Sequence, residues 1–382
     1  MIKGLFPIEH FKNIPTPFYY YDTELLKKTL TCIKHESGKY NYKVHYAIKA
    51  NANERILKII QQEGFGVDCV SGGEINAALK VGFDSSQIVF AGVGKADWEI
   101  ETALNSNIFC FNVESTAEME IINQIAQKLN KTAQIALRIN PNIDAHTHSY
   151  ITTGLNENKF GINLDKLQET LCFLHELNNI SLIGLHFHIG SQITDMSPFQ
   201  DLCIKINEIL SDLKEKNILI QHINVGGGLG INYQHPNHIP IADFESYFKV
   251  FHDYLHLESS QTLHFELGRS VVAPCGSLIT KVLYIKEGTT KRFAIVDAGM
   301  TDLIRPALYN AYHHIENISS NDKYETYDIV GPICESSDTF AKDYLLNKTK
   351  RGDLLAIRSA GAYGEIMASN YNLRELPKSY FF

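Results

Sequence analysis

The sequence has no apolar run of the roughly 20 residues needed to cross a bilayer. Its opening stretch, MIKGLFPIEHFKNIPTP, lacks the apolar core of a secretory signal. It has no CxxC pair, and its seven cysteines are scattered. An odd, unpatterned set fits reduced thiols in a cytoplasm better than a disulfide framework. Positive charge is not in excess: the net charge is −8, which argues against a nucleic-acid surface. Low-complexity tracts and short repeats are also missing. The chain does have 382 residues, 44% of them hydrophobic, with 19 tyrosines and 20 phenylalanines. That describes a well-packed globular protein with room for one large domain or two ordinary ones.

From about residue 43 to 275, short apolar runs alternate with longer amphipathic ones. The strand candidates are KVHYAI, GVDCV, QIVFAG, IFCFNV, QIALRI, LIGLHFHI, HINVGG and LHFEL. Helical patterns such as ERILKIIQQEG lie between them, with Ile56, Leu57 and Ile60 on one face and Gly64 as the stop. This count and length predict an α/β fold, a (β/α)8 barrel, with a doubly wound sheet as the alternative. After Pro274 the pattern becomes strand-rich, in SLITKVLYIKEG, KRFAIVDAG, YETYDIVGPI and GDLLAIRSAGAY. The expected division is a barrel over 30–275 and a mostly β domain formed by 1–29 and 276–382. The strand-like PFYYYD near the N-terminus is a candidate to pair with that second sheet.

In such a barrel the carboxyl ends of the strands and the loops after them build the active site. Lys49, Asp68, Arg138, His188, the glycines after Val225 and Glu266 all fall at such ends. Lys49, in YAIKANAN, is the most informative. Lysine is seldom buried unless paired, and burial lowers its pKa. An amine that sheds its proton can condense with an aldehyde such as pyridoxal phosphate. The structural alternative is a lysine that reaches solvent or makes an ion pair. The run Gly226–Gly227–Gly228 lets backbone amides approach an anion, where barrels often hold phosphate. Ser191 and nearby amides could help. Glu266 can keep a pyridine nitrogen protonated, and Arg269 can bind a carboxylate through two hydrogen bonds. His186 and His188 share the HxH spacing of metal ligands, but no further ligands are apparent, so stacking of His188 on a flat cofactor is the better reading. Cys334 beside Glu335 pairs a proton donor with a group that can bind an ammonium. Arg305, Tyr309 and Tyr363 complete the set, although each alone fits surface or packing.

Taken in order, PTPFYYYD, YAIKAN, GVDCVSGGE, GVGK, INPNIDAHTH, KFGI, HFHIGSQ, NVGGGLG, ELGRS, DAGMTDLIRPALY, GPICESSD and GAYGEIMASNYN span nearly the whole chain. The set resembles the group IV pyridoxal-phosphate-dependent decarboxylases with the alanine-racemase-like barrel, and within them the diaminopimelate branch. The resemblance implies that Lys49 carries the cofactor, with Asp68, His188, Ser191, Gly227, Gly228, Glu266, Gly268, Arg269 and Tyr363 around it. It implies substrate binding by Arg269, Arg305, Tyr309, Glu335 and Tyr363. Cys334 becomes the acid that protonates carbon after CO2 leaves, reaching the neighbouring subunit's site in a homodimer. The family usually has proline where Leu267 stands. Two arginines with Glu335 suit a substrate whose far end is a zwitterion, so the expected reaction converts meso-2,6-diaminopimelate to L-lysine. Three rivals remain: a carboxynorspermidine decarboxylase, a barrel-type racemase and a non-catalytic pyridoxal-phosphate-binding homologue. The AHTH segment, CES and Arg305 favour diaminopimelate. Neither a membrane nor a nucleic acid is expected as a partner.

Overall fold

A computed structural model describes residues 4–143 and 159–382. Strand β1 (Phe18–Tyr21) is followed by the helix Thr23–Gly38. Next come β2 (Lys43–Ala47), β3 (Gly66–Cys69), β4 (Ile88–Phe90), β5 (Cys110–Val113), β6 (Ala133–Asn140), β7 (Ile162–Asn163), β8 (Ile180–His186), β9 (His222–Asn224) and β10 (Thr262–Leu267). The last group is β11 (Gly276–Glu287), β12 (Arg292–Val296), β13 (Ile315–Asn317), β14 (Tyr324–Val330), β15 (Thr339–Asn347), β16 (Leu354–Ile357) and β17 (Lys378–Phe381). The chain divides into two compact units. One takes in 30–230 and 243–268, the other 1–29, 231–242 and 269–382. The segments 231–242 and 269–275 thus group with the β-rich unit, whereas the sequence pattern put them with the barrel.

In the first unit, β2 to β6 and β8 to β10 pair in parallel one after another, and β10 returns to β2 with Glu266 opposite His45. The sheet therefore closes on itself as an eight-stranded parallel barrel and leaves no edge among those eight strands. The eight expected strands are these eight. The short β7 adds beside β6. β3, β4 and β5 are buried along their whole length, which is why they read as continuous apolar runs rather than alternating ones. Helices between the strands are amphipathic and capped. Glu54–Gln62 buries Ile56, Leu57 and Ile60, and Asn53 caps it by accepting from the Arg55 N–H. Ser71 and Ser115 cap the helices Gly72–Val81 and Thr116–Lys128 in the same way. These caps fix where each loop ends and so where each strand-end residue stands.

In the second unit the strands run in the order β13-β16-β11-β12-β14-β15. β1 joins antiparallel to β11, with Phe18 opposite Ile279, and β17 lies parallel beside β1. Phe11, Phe18, Tyr20, Ile279 and Ala356 form a core cluster there. The pairing of β1 explains how an N-terminal stretch belongs to a C-terminal sheet. The AHTH stretch at 145–148 lies outside the described residues.

Candidate active site

Within the barrel unit, Lys49 sits in the 3-10 turn Ile48–Ala50 directly after β2. Its Nζ donates to Asp68 Oδ2 at 3.1 Å. Asp68 lies within β3 and is fully buried, and its Oδ1 has no hydrogen-bond partner among the described residues. Burial raises the Asp68 carboxyl to about 6, the Glu266 charge adds to this, and Lys49 opposes it.

Glu266, near the end of β10, is buried among polar side chains. Its Oε1 accepts from Asn112 Nδ2 at 3.0 Å and from Asn224 Nδ2 at 2.7 Å. Its Oε2 lies 3.1 Å from His186 Nε2. Burial pushes this carboxyl up, but His186, by charge and hydrogen bond, and then Lys49 outweigh it, and the group is held well below its ordinary value. Of these two carboxyls, Glu266 is held low by its partners, while Asp68, beside the lysine, is raised by burial. Asn112 and Asn224 escaped the sequence reading. Both are polar residues at strand ends, the same signal that singled out Asp68.

His188 stands two residues beyond β8, and its Nδ1 accepts from the Gly227 N–H at 3.3 Å. Burial, then the charges of Arg138 and Lys49, push its pKa well below the ordinary value, so the ring is neutral. Gly227 lies so close to β10 that a Cβ would meet the Glu266 carbonyl oxygen at 2.0 Å. Gly228, at φ +106°, faces the Gly190 carbonyl oxygen. The loop carrying Ser191 is tied to the glycine loop, because the Ile193 N–H donates to the Gly228 carbonyl and the Gly230 N–H returns to Ile193. Gly268 packs on Ala47 and Ala50, next to the lysine turn. Arg138 is spent elsewhere, in a buried pair with Glu114 at 2.8 Å.

These residues fit pyridoxal phosphate. A lysine amine, a neutral imidazole, an ionised carboxylate and a glycine loop stripped of Cβ atoms occupy strand ends of one barrel. The buried, unsatisfied Asp68 Oδ1 marks a polar position that the protein alone does not complete.

The second unit gathers the arginines. Arg305 begins the short helix Arg305–Tyr309, which places Tyr309 on the same face four residues on. Its guanidinium lies 5.7 Å from the Tyr309 ring, 5.9 Å from Tyr233 and 6.0 Å from Tyr363. Arg269 donates from Nη1 to the Tyr233 hydroxyl at 2.8 Å and stands 5.0 Å from the Tyr363 ring. Both arginines are buried. Arg305 Nε has no hydrogen-bond partner among the described residues. Burial and then the neighbouring Arg269 lower the pKa of Arg305. Tyr363 is held at φ +55°, a conformation that costs a non-glycine residue about 1–2 kcal/mol. The cluster is cationic and aromatic-lined. Tyr233 was missed by sequence reasoning, since NYQHP carries no strand-end or motif signal.

Cys334 and Glu335 are exposed in the single chain. The Cys334 N–H donates to Asn372 Oδ1 at 3.0 Å. Their loop is pinned by buried Asp338, whose Oδ2 accepts from the Ile333 N–H and Oδ1 from the Met300 N–H. No described hydrogen bond, ion pair or ring contact joins Cys334 or Glu335 to Arg269, Arg305, Tyr309 or Tyr363.

The chain matches the pyridoxal-dependent decarboxylase family, pyridoxal binding domain, over residues 24–273. It is 61% identical to a diaminopimelate decarboxylase of Bacteroides thetaiotaomicron over 380 residues, 99% of this chain and 98% of the relative. It is 44% identical to that of Neisseria meningitidis serogroup B over 360 residues, 94% and 86% of the two chains. Among solved structures, the Helicobacter pylori diaminopimelate decarboxylase complexed with L-lysine superposes with a TM-score of 0.92 at 42% identity, over 98% of this chain and 93% of that one. The chain belongs to the diaminopimelate decarboxylases, within the pyridoxal-dependent decarboxylase family.

Proposed function

We infer that this chain uses pyridoxal 5'-phosphate to decarboxylate meso-2,6-diaminopimelate, giving L-lysine and CO2 in the last step of lysine biosynthesis. The observation that carries the substrate is Arg305. It is a buried guanidinium with an unpartnered Nε, set beside a second buried arginine and three tyrosines. An ornithine-like substrate has no distal carboxylate to answer those cations, whereas diaminopimelate has one. Leaving a buried cation unanswered is costly, so the cluster discriminates by charge.

The cofactor, when bound, supplies a conjugated ring that takes up the electron pair left by departing CO2. Lys49 would hold it through Nζ, with Asp68 orienting the amine from 3.1 Å. Glu266, kept ionised by His186 and oriented by Asn112 and Asn224, would hold a proton on the pyridine nitrogen. Neutral His188 would lie on the face of the ring. Ser191, Gly227, Gly228, Gly268, Arg269 and Tyr363 would surround the phosphate and ring. Arg269, Arg305, Tyr309 and Tyr363 would bind the substrate, with Glu335 taking its ammonium. Cys334 would deliver the proton to the carbon that loses CO2.

The assembly we propose is a homodimer in which Cys334 and Glu335 serve the partner's site. Support comes from their exposure and from the apolar surface around Asn372, where Leu373 is 96% exposed and Tyr371 and Leu376 about half. A cytoplasmic location suits seven cysteines that are all free thiols. No helix among the described residues is long and apolar enough to cross a membrane.

The test is release of CO2 and L-lysine from meso-diaminopimelate by the cofactor-loaded enzyme. Release from carboxynorspermidine or L-ornithine, with none from diaminopimelate, would overturn the assignment.

A further inference from the structure

Tyr233 meets both buried arginines by two different chemistries. Its oxygen accepts from Arg269 Nη1 at 2.8 Å, and its ring lies 5.9 Å from the Arg305 guanidinium. His313 packs against the same ring in a T-shaped arrangement, with centroids 5.2 Å apart and planes at 79°. A phenol has one hydrogen to give and two lone pairs to receive. Because the oxygen already accepts from Arg269, its own hydrogen must point elsewhere, and no described residue accepts it. Arg305 Nε–H is orphaned in the same cluster. Two unanswered donors beside two buried cations call for a group that only accepts, is anionic and has two oxygens. That group is a carboxylate.

We propose that Tyr233 is a substrate-binding, specificity-determining residue that donates its hydroxyl hydrogen to the non-reacting carboxylate of the substrate while fixing Arg269 by accepting from it. This rests on the diaminopimelate reading, because it is the far end of that substrate that carries the carboxylate. The acidity of the phenol agrees. Burial raises its pKa, but Arg269 and then Arg305 outweigh burial and lower it, which makes the hydroxyl a stronger donor. A phenylalanine would keep the ring under Arg305 and lose only the directed hydrogen bonds.

The experiment compares wild-type and Tyr233→Phe holoenzymes. A hydrogen bond to a charged group corresponds to about 10- to 100-fold in binding. The KM for meso-diaminopimelate should rise by about that factor with kcat within about threefold. Inhibition by L-lysine, which keeps the same carboxylate, should weaken in parallel. Inhibition by 1,5-diaminopentane, which lacks it, should stay the same, as should the absorbance of bound cofactor and the melting temperature. If wild type releases no CO2 from diaminopimelate, the assigned activity itself fails. If wild type is active and the variant's KM and lysine inhibition stay within twofold, the activity stands and the role of Tyr233 is overturned. Equal weakening of lysine and 1,5-diaminopentane would also overturn it, because the lost contact would then not be to the carboxylate. Should Tyr233→Phe melt early, Tyr233→Trp, which keeps an aromatic face and an N–H donor, must restore lysine discrimination over 1,5-diaminopentane; failure of that rescue in a folded chain counts against the proposal.

Discussion

Lys49 Nζ, in the turn that follows β2, and Asp68 Oδ2, on the neighbouring β3, stand 3.1 Å apart, and the carboxylate is the fully buried partner. The register that sets β2 beside β3, with Ala47 opposite Asp68, brings them together. Lys49→Ala should therefore lose the visible absorbance of covalently held cofactor and nearly all turnover. A variant that decarboxylates at close to the wild-type rate would sink the assignment of Lys49.

Asp68 has a stability signature of its own. Its folded pKa, about 6, lies above the ordinary value near 3.9, so the folded chain binds the extra proton between those limits. Stability from this group is present at low pH and is lost as pH rises through about 6. Asp68→Asn should accordingly melt higher than wild type at pH 7.5 in the cofactor-free protein, with the advantage shrinking toward pH 4.5. It should also slow turnover. An advantage that grows as pH falls would contradict the burial argument.

Glu266→Gln should still bind cofactor yet decarboxylate slowly, since a neutral amide cannot hold a pyridinium proton. Each ~1.4 kcal/mol lost from the transition state is about tenfold in rate. His186, Asn112 and Asn224 remain to orient the amide, so folding should be little changed. Unchanged activity with cofactor bound would mean that Glu266 does not face the ring nitrogen.

Much of the barrel was legible because parallel strands buried on both faces read as apolar runs, and their ends expose the polar exceptions. Lys49, Asp68 and Glu266 stood out on that ground. The β-rich unit was less legible. β15, TFAKDYLLN, mixes exposed and buried positions irregularly, and β13 and β17 are too short for periodicity to show. Tyr233 was illegible for another reason. Its role depends on Arg269 and Arg305, 36 and 72 residues further along the chain, and neither spacing carries a signal. Leu267 marks a local difference: β10 runs on through it, opposite Tyr46, where a proline could not donate to the ladder.

Arg305→Ala should raise the KM for diaminopimelate by roughly 10- to 100-fold, the scale of a charged hydrogen bond, and leave cofactor affinity unchanged. Arg305 has no carboxylate partner among the described residues, so its removal also relieves a buried charge, and the folded chain should be no less stable. Equal losses of cofactor and substrate affinity would point to a phosphate-binding role instead.

Cys334 tests chemistry and assembly together. It is exposed, so Cys334→Ala should fold and bind cofactor normally while turning over very slowly. Lys49→Ala is inactive for a different reason. If each site takes Lys49 from one subunit and Cys334 from the other, a mixed dimer of the two variants contains one intact site and one with both defects. Random exchange makes about half of the dimers mixed, each with about half of the wild-type activity, so the mixture should recover roughly a quarter. Blocking exchange should abolish the recovery. Proven exchange with no recovery would place both residues in one chain's site, or remove Cys334 from the chemistry.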